Sequence, residues 1–330
     1  MTIPASMQAI IVKQPGKNSS LELTTLALPT ANAEQLLIKV AAAGVNRADL
    51  VQRQGLYPPP AGESDVLGLE VAGTVVAAPA HLQHWQGKQV FGLVPGGGYA
   101  EYAVLHHQHA MLLPEGFTMV QAAATAEVFL TAYQLLFLHG QIQAKQKVLI
   151  HAGASGVGTA AIQLAKFFGA EVAVTASTDE KLALCKQLGA DITINYKQQR
   201  FEQILAQLWP KGANLVLDPV AGDYVQREIA ILALDAKIVL YAMMGGRRLP
   251  ELDLAPLFKQ RGHIICSTLR NRSDVYKADL TKQFIANCGA ALTAGKLQPV
   301  IQQQYHWHQA AEAHQLMASN QTQGKLVLRF

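Results

Sequence analysis

The segment with the clearest chemistry is His151-Ala-Gly153-Ala154-Ser155-Gly156-Val157-Gly158, which follows an apolar strand and opens a helix. A helix N-terminus leaves backbone N–H groups free and carries a partial positive charge, so it favours a phosphate or pyrophosphate. Gly153 permits the tight turn and Gly158 allows helix and strand to pack closely, as in the dinucleotide fingerprint. The match departs from G-x-G-x-x-G at its middle position, where Ser155 stands beside an additional Gly156. The bland alternative is a plain strand-to-helix connection, and the surrounding βαβ texture weighs against it. Gly153, Ala154, Ser155, Gly156, Val157 and Gly158 are therefore the candidate pyrophosphate contacts. An NAD-binding chain places Asp or Glu roughly 20 residues further on, against the ribose hydroxyls. Here position 177, 24 residues after Gly153, is a serine, and Val174 to Thr178 contain no acid. Ser177, Lys181 one helical turn later, and Tyr196 at the end of the next strand offer a hydroxyl, an ammonium and a phenol. These suit a 2′-phosphate, so the expected cofactor is NADPH, although Asp179 and Glu180 lie close by.

The elements that would hold this turn are legible. Strands are expected at Val148–His151, Glu171–Thr175, Ile192–Tyr196, Leu215–Asp218, Ile238–Ala242 and His263–Thr268, with helices between them, which predicts a doubly wound parallel six-stranded sheet. In the first helix Val157, Ala160, Ala161, Leu164, Ala165 and Phe168 recur at helical spacing, and Gly169 sits at the expected left-handed cap. Met244, Gly245, Thr268 and Leu269 fall at the ends of strands five and six, where ligands collect in such sheets. The first third reads differently. Ala9–Lys13, Gln35–Val40 and Val71–Ala77 are short strands among Pro- and Gly-rich turns, which predicts a small β-barrel. The final strand, Lys325–Leu328, has no helix after it and is expected to return to that barrel.

Bulk properties narrow the function class. The chain has 330 residues, a formal charge of +4, half its residues hydrophobic and only three cysteines, Cys185, Cys266 and Cys288. Length suits two domains. The longest basic run is Arg247–Arg248, so no nucleic-acid partner is expected. The opening MTIPASMQA lacks the pattern of a signal peptide, no apolar stretch reaches membrane-spanning length, and there is no CxxC or disulfide framework. A cytoplasmic enzyme without a membrane partner is the expectation.

Several segments together, spanning almost the whole chain, resemble the zinc-free quinone oxidoreductases of the medium-chain dehydrogenase/reductase superfamily, the tumour-suppressor-inducible group in particular. They are Gly44-Val-Asn46-Arg47-Ala-Asp49, running on to Tyr57-Pro-Pro-Pro60; Gly68-Leu-Glu70; Leu93 to Gly98; the glycine turn; Asn195-Tyr196-Lys197; Leu240 to Gly246; and Gly324-Lys-Leu-Val-Leu328. The resemblance implies an α/β chain. A GroES-like β-barrel catalytic domain would take residues 1–124 and 298–330, and a Rossmann NADPH-binding domain residues 125–297. It further implies Asn46 and Tyr57 at the nicotinamide end as candidate catalytic residues, Thr131 beside the carboxamide, Lys325 among the cofactor contacts, and a homodimer formed through the Rossmann domain. Zinc alcohol dehydrogenases of the superfamily carry a Cys where this chain has Asn46 and a His where it has Leu69. Neither replacement is a zinc ligand, so no metal is expected. The pairs and clusters His81/His84, His106/His107/His109 and His306/His308 read as surface histidines.

Without a Lewis acid the substrate must be an electrophile that needs little activation, which points to small quinones. No lysine or histidine proton donor is evident near Asn46 and Tyr57. The competing readings are an NADPH-dependent reductase of conjugated enones or aldehydes, and a non-catalytic NADPH-binding, RNA-associated protein.

Overall fold

Alternating apolar residues set the strands of the first part of the chain. The structure, a computed structural model, describes residues 3–249 and 251–330; Met1 and Thr2 of the opening segment lie outside the described residues. Cα packing divides the chain into two compact units, Met1–Leu130 with Leu269–Phe330, and Thr131–Thr268. Residues 269–297, expected with the nucleotide-binding fold, pack with the first unit.

In the first unit, β1 (Ser6–Lys13) and β2 (Ser20–Ala27) form an antiparallel hairpin. The main sheet uses β3 (Gln35–Val45), β4 (Glu70–Ala77), β5 (Gln89–Leu93), β6 (Tyr102–His106) and β7 (Met111–Leu112). The short helix α1 (Arg47–Arg53) leaves the end of β3, and its Asp49 carboxylate accepts from the backbone N–H of Asn46 at 2.8 Å and of Gly68 at 3.1 Å. That buried carboxylate, pushed up to about 6 by burial, ties the end of β3 to the start of β4. Met7, Leu36, Ile38, Val71, Val90 and Leu105 fill the interior.

The second unit contains β8 (Lys147–Ile150), β9 (Glu171–Ala176), β10 (Ile192–Asn195), β11 (Ala213–Asp218), β12 (Leu232–Leu240) and β13 (His263–Cys266). All neighbours are parallel, in the order β10-β9-β8-β11-β12-β13. In sequence terms this is 3-2-1-4-5-6, the doubly wound order whose switch point lies between β8 and β11. Near-continuous apolar strands follow from helices covering both faces. β12 begins at Leu232, before the expected Ile238, and its pairing with β11 shifts register between Leu232 and Lys237, where Asp235 takes φ +60°. Strand β14 (Ile301–His306) lies parallel to β15 (Lys325–Arg329). β15 pairs antiparallel with β3, Leu326 opposite Val45, which brings the C-terminal segment back to the first sheet.

Candidate active site

The glycine turn leaves the C-terminal end of β8, at the edge of the switch point. Helix α2 (Gly156–Phe167) starts directly after Ser155, whose Oγ accepts from the Gly158 N–H at 3.0 Å. This explains the departure from the fingerprint: the middle glycine is replaced by a residue that caps the helix. A Cβ at Gly153 would lie 2.8 Å from the Val174 Cβ, and one at Gly158 would run into the carbonyl oxygens of Ala152 and Gly153. Backbone and strand therefore approach as closely as a pyrophosphate cradle requires. At the far end of the helix Gly169 adopts φ +82°, the left-handed conformation expected of its cap.

Beneath the turn is a buried polar cluster that the motif alone does not reveal. His151 Nδ1 lies 2.9 Å from Thr175 Oγ1, and its Nε2 lies 3.1 Å from Glu228 Oε1. Burial lowers His151 to about 4 and raises Glu228 to about 8 and Asp218 to about 7. The imidazole is thus neutral at pH 7, and Asp218 also binds the N–H of Val220 at 2.5 Å and of Ala221 at 3.0 Å. Among the described residues of this unit, the hydroxyls of Thr131, Tyr241 and Ser267 are buried without a hydrogen-bond partner. Tyr241 and Ser267 immediately follow β12 and β13, where a bound dinucleotide would supply partners. The glycine cradle and these orphaned groups fit a nicotinamide dinucleotide.

Ser177 follows β9, and Lys181 lies in the first turn of helix α3 (Asp179–Gln187). Burial and the neighbouring Lys197 both push the Lys181 ammonium below its ordinary range. Lys197 is a second cation at this end that the sequence reading did not assign; its place just past β10 was the available signal. Tyr196 is 42% exposed beside it. Met244 and Gly245 are exposed, with their N–H groups bound to Pro219 O at 3.0 Å and Val220 O at 2.7 Å. Thr268 is exposed, one residue before Leu269, which is buried in the first unit.

In the first unit Asn46 is bound to a buried ammonium. Lys325 is 2% exposed, and its Nζ donates to Asn46 Oδ1 at 2.6 Å, Glu70 Oε1 at 2.7 Å and Val45 O at 2.9 Å. All three ammonium protons are therefore engaged internally, which makes Lys325 the buried counter-charge of Glu70. The Asn46 amide donates to Glu70 Oε1 at 3.1 Å, and Glu70 Oε2 accepts from the Glu127 N–H at 2.8 Å. An ammonium among Asn46, Leu69 and Glu70 does not fit zinc, which needs thiolate, imidazole or carboxylate ligands in tetrahedral array. Among the described residues no group of three His, Cys, Asp or Glu side chains could hold a metal ion. His106 stacks on His109 at 4.6 Å, and His306 meets His308 edge-to-face at 4.7 Å.

Next to this cluster is a pocket lined by Leu69, Val94, Glu127, Leu269, Arg270 and Lys277, among others. The Arg270 guanidinium lies 5.6 Å from the Tyr57 ring centroid and is anchored on Pro95 O at 2.8 Å and Gln52 Oε1 at 2.8 Å. Burial raises the Tyr57 phenol, and the Glu127 carboxylate adds to the rise. Burial, reinforced by Glu70, raises Glu127 to about 8, so it holds a proton at pH 7. The expectation that no lysine or histidine lies at this end is corrected: Lys277 and His109 line the pocket. Lys277 and Arg270 come from the segment around α4 (Asp274–Thr293), far from Asn46 and Tyr57 in sequence, and no local pattern marks them.

The chain is similar to known proteins over almost its whole length. Residues 32–115 match the family described as alcohol dehydrogenase GroES-like domain, and residues 156–283 the family described as zinc-binding dehydrogenase. The quinone oxidoreductase of Sus scrofa is 30% identical over 98% of this chain and 97% of its own length. Among solved structures, a mycobacterial protein complexed with NADPH superposes with a TM-score of 0.87 at 28% identity, covering 98% of this chain and 100% of that one. The quinone oxidoreductase of Thermus thermophilus, solved alone and with NADPH, gives 0.82 at 29% identity over 98% and 100%. GroES-like and Rossmann folds, the glycine cradle and this likeness along the full chain together show that the protein belongs to the quinone oxidoreductase-like family of the medium-chain dehydrogenase/reductase superfamily.

Proposed function

We propose that the chain is a zinc-independent NADPH:quinone oxidoreductase. The observation that carries this reading is the Lys325 ammonium held by Asn46 and Glu70, where zinc alcohol dehydrogenases of the superfamily would use a metal ligand. With that position closed to a dication, the substrate must accept reducing equivalents without strong Lewis-acid help, and quinones do so. Ser177, Lys181, Lys197 and Tyr196, with no acid at the end of β9, favour the 2′-phosphate of NADPH. When bound, NADPH supplies the hydride. The chain's own residues orient the substrate: the Tyr57 hydroxyl and protonated Glu127 can donate hydrogen bonds to a substrate oxygen, and Leu69, Val94 and Leu269 exclude water.

The edge strand β13, exposed at His263 and Cys266, with Leu234 and Phe258 exposed in the same unit, supports a homodimer formed through the nucleotide-binding unit. Among the described residues no helix is long and apolar enough to cross a membrane; a cytoplasmic location is part of the proposal. The deciding experiment is steady-state NADPH oxidation across small quinones, enones, aldehydes and alcohols, with and without chelator. Turnover of ortho- or other aromatic quinones that persists under chelation supports the reading. Robust alcohol oxidation, or rapid enone reduction with no quinone response, rejects it. Tyr57→Phe should lower quinone turnover several-fold and leave NADPH affinity unchanged.

A further inference from the structure

The pocket beside Tyr57 contains a lysine whose ammonium forms no direct ion pair within the protein. Lys277 is 8% exposed and lines this pocket, and among the described residues its ammonium forms no direct hydrogen bond or ion pair; burial lowers its pKa, and the charges of Asp274, Glu127 and Glu63 oppose that fall from a distance. The contrast with Lys325, which satisfies all three protons internally, is direct. A buried, unpaired ammonium is costly unless something supplies the missing acceptor.

The surroundings do not provide one. Arg270, also 8% exposed, adds a second positive charge to the same lining. Glu127, the lining's inner carboxyl, carries a proton at neutral pH because burial and Glu70 raise it. His109 is held neutral by burial, lowered to about 4, with Nε2 on Asp274 O at 3.0 Å. The remaining acids, Glu63 and Asp274, are exposed, where water screens them. The interior is therefore positive, with a carboxylic acid O–H alongside as a further donor. The space is about 30 Å³, room for roughly two water-sized groups at 10–15 Å³ each. Two carboxylate oxygens match it.

We propose that this pocket receives the carboxylate of an acidic substrate, a quinone bearing a carboxylate on its ring, with Lys277 as the charge partner and Glu127 as a second hydrogen-bond donor. The quinone body of that ligand rests on the function proposed above; the anion site rests on Lys277 and its pocket alone. A charge-assisted hydrogen bond of this kind is worth about tenfold to a hundredfold in affinity.

The test uses the whole chain and three probes: benzoate, 1,4-naphthoquinone-2-carboxylate and the methyl ester of the latter, each titrated calorimetrically into wild type, Lys277→Met and Lys277→Arg. The free acid should bind wild type at least tenfold more tightly than the ester. That advantage should vanish in Lys277→Met and persist in Lys277→Arg, with ester and NADPH affinities unchanged. Equal affinities for acid and ester in wild type, or a carboxylate advantage that survives in Lys277→Met, would overturn the proposal. Lys277-dependent binding of benzoate with no binding of either quinone would uphold the anion site and reject the quinone reading. If Lys277→Met does not fold by circular dichroism, Lys277→Gln answers the same question.

Discussion

Replacing Lys325 by methionine tests whether the buried ammonium is the structural substitute for a metal. Methionine keeps the apolar stem and removes the charge. Three acceptors lose their donor at once: Asn46 Oδ1, Glu70 Oε1 and Val45 O, at 2.6, 2.7 and 2.9 Å. Breaking a buried ion pair by removing one partner costs about 3–5 kcal/mol. Glu70 keeps two other donors, the Asn46 amide at 3.1 Å and the Glu127 N–H at 2.8 Å, which places the cost toward the lower end of that range. At roughly 2–4 °C per kcal/mol for a unit of this size, the melting temperature should fall by about 6–20 °C. The assay is thermal and urea unfolding followed by circular dichroism, with Trp85 and Trp307 reporting on the first unit. Adding Glu70→Gln removes the orphaned charge, so the double variant should recover stability, with a coupling of about 0.5–3 kcal/mol. A Lys325→Met loss below about 1 kcal/mol, or strictly additive single effects, would refute the reasoning.

Three further outcomes are expected. Gly158→Ala places a methyl against the Ala152 and Gly153 carbonyls, so NADPH affinity should collapse by at least tenfold in a fluorescence titration while the first unit keeps its fold. Lys181→Ala should weaken NADPH by about tenfold to a hundredfold, Lys197→Ala by less, and NADH binding should barely change in either; equal losses for both cofactors would remove the 2′-phosphate assignment. Glu127 has its folded-state value raised from 4.5 to about 8, so the stability it contributes is present below about 4.5 and lost as pH rises through about 8. Melting curves between pH 5 and 9 should therefore show Glu127→Gln gaining on wild type as pH rises, and a constant offset would contradict the assigned proton.

Much of the nucleotide-binding unit was legible before any coordinates. A parallel sheet covered on both faces writes its strands as apolar runs, and the helices between them repeat at a local period. The phosphate turn is likewise contiguous, so Gly153 and Gly158 identify it within eight residues of sequence. Even the departure at Ser155 was visible, although its capping role needed the bond to Gly158 N. The absence of zinc ligands at Asn46 and Leu69 followed from residue type alone.

What the tertiary structure decided is what long-range packing decides. Asn46, Glu70 and Lys325 lie at opposite ends of the chain and meet only because β15 pairs with β3. That register makes Lys325 the buried counter-charge of Glu70. Lys277, Arg270 and Glu127 carry no pattern in sequence, since a lysine in an amphipathic helix normally faces water. Their chemistry comes from desolvation: the same side chains on an open surface would be an ordinary ammonium, guanidinium and carboxylate. Burial against the barrel sheet makes one an unpaired cation and another a protonated acid. Sequence fixes which groups are present along a strand or a turn, whereas the charge state and the partners of groups far apart in the chain are set by the dielectric and the neighbours that folding assembles around them.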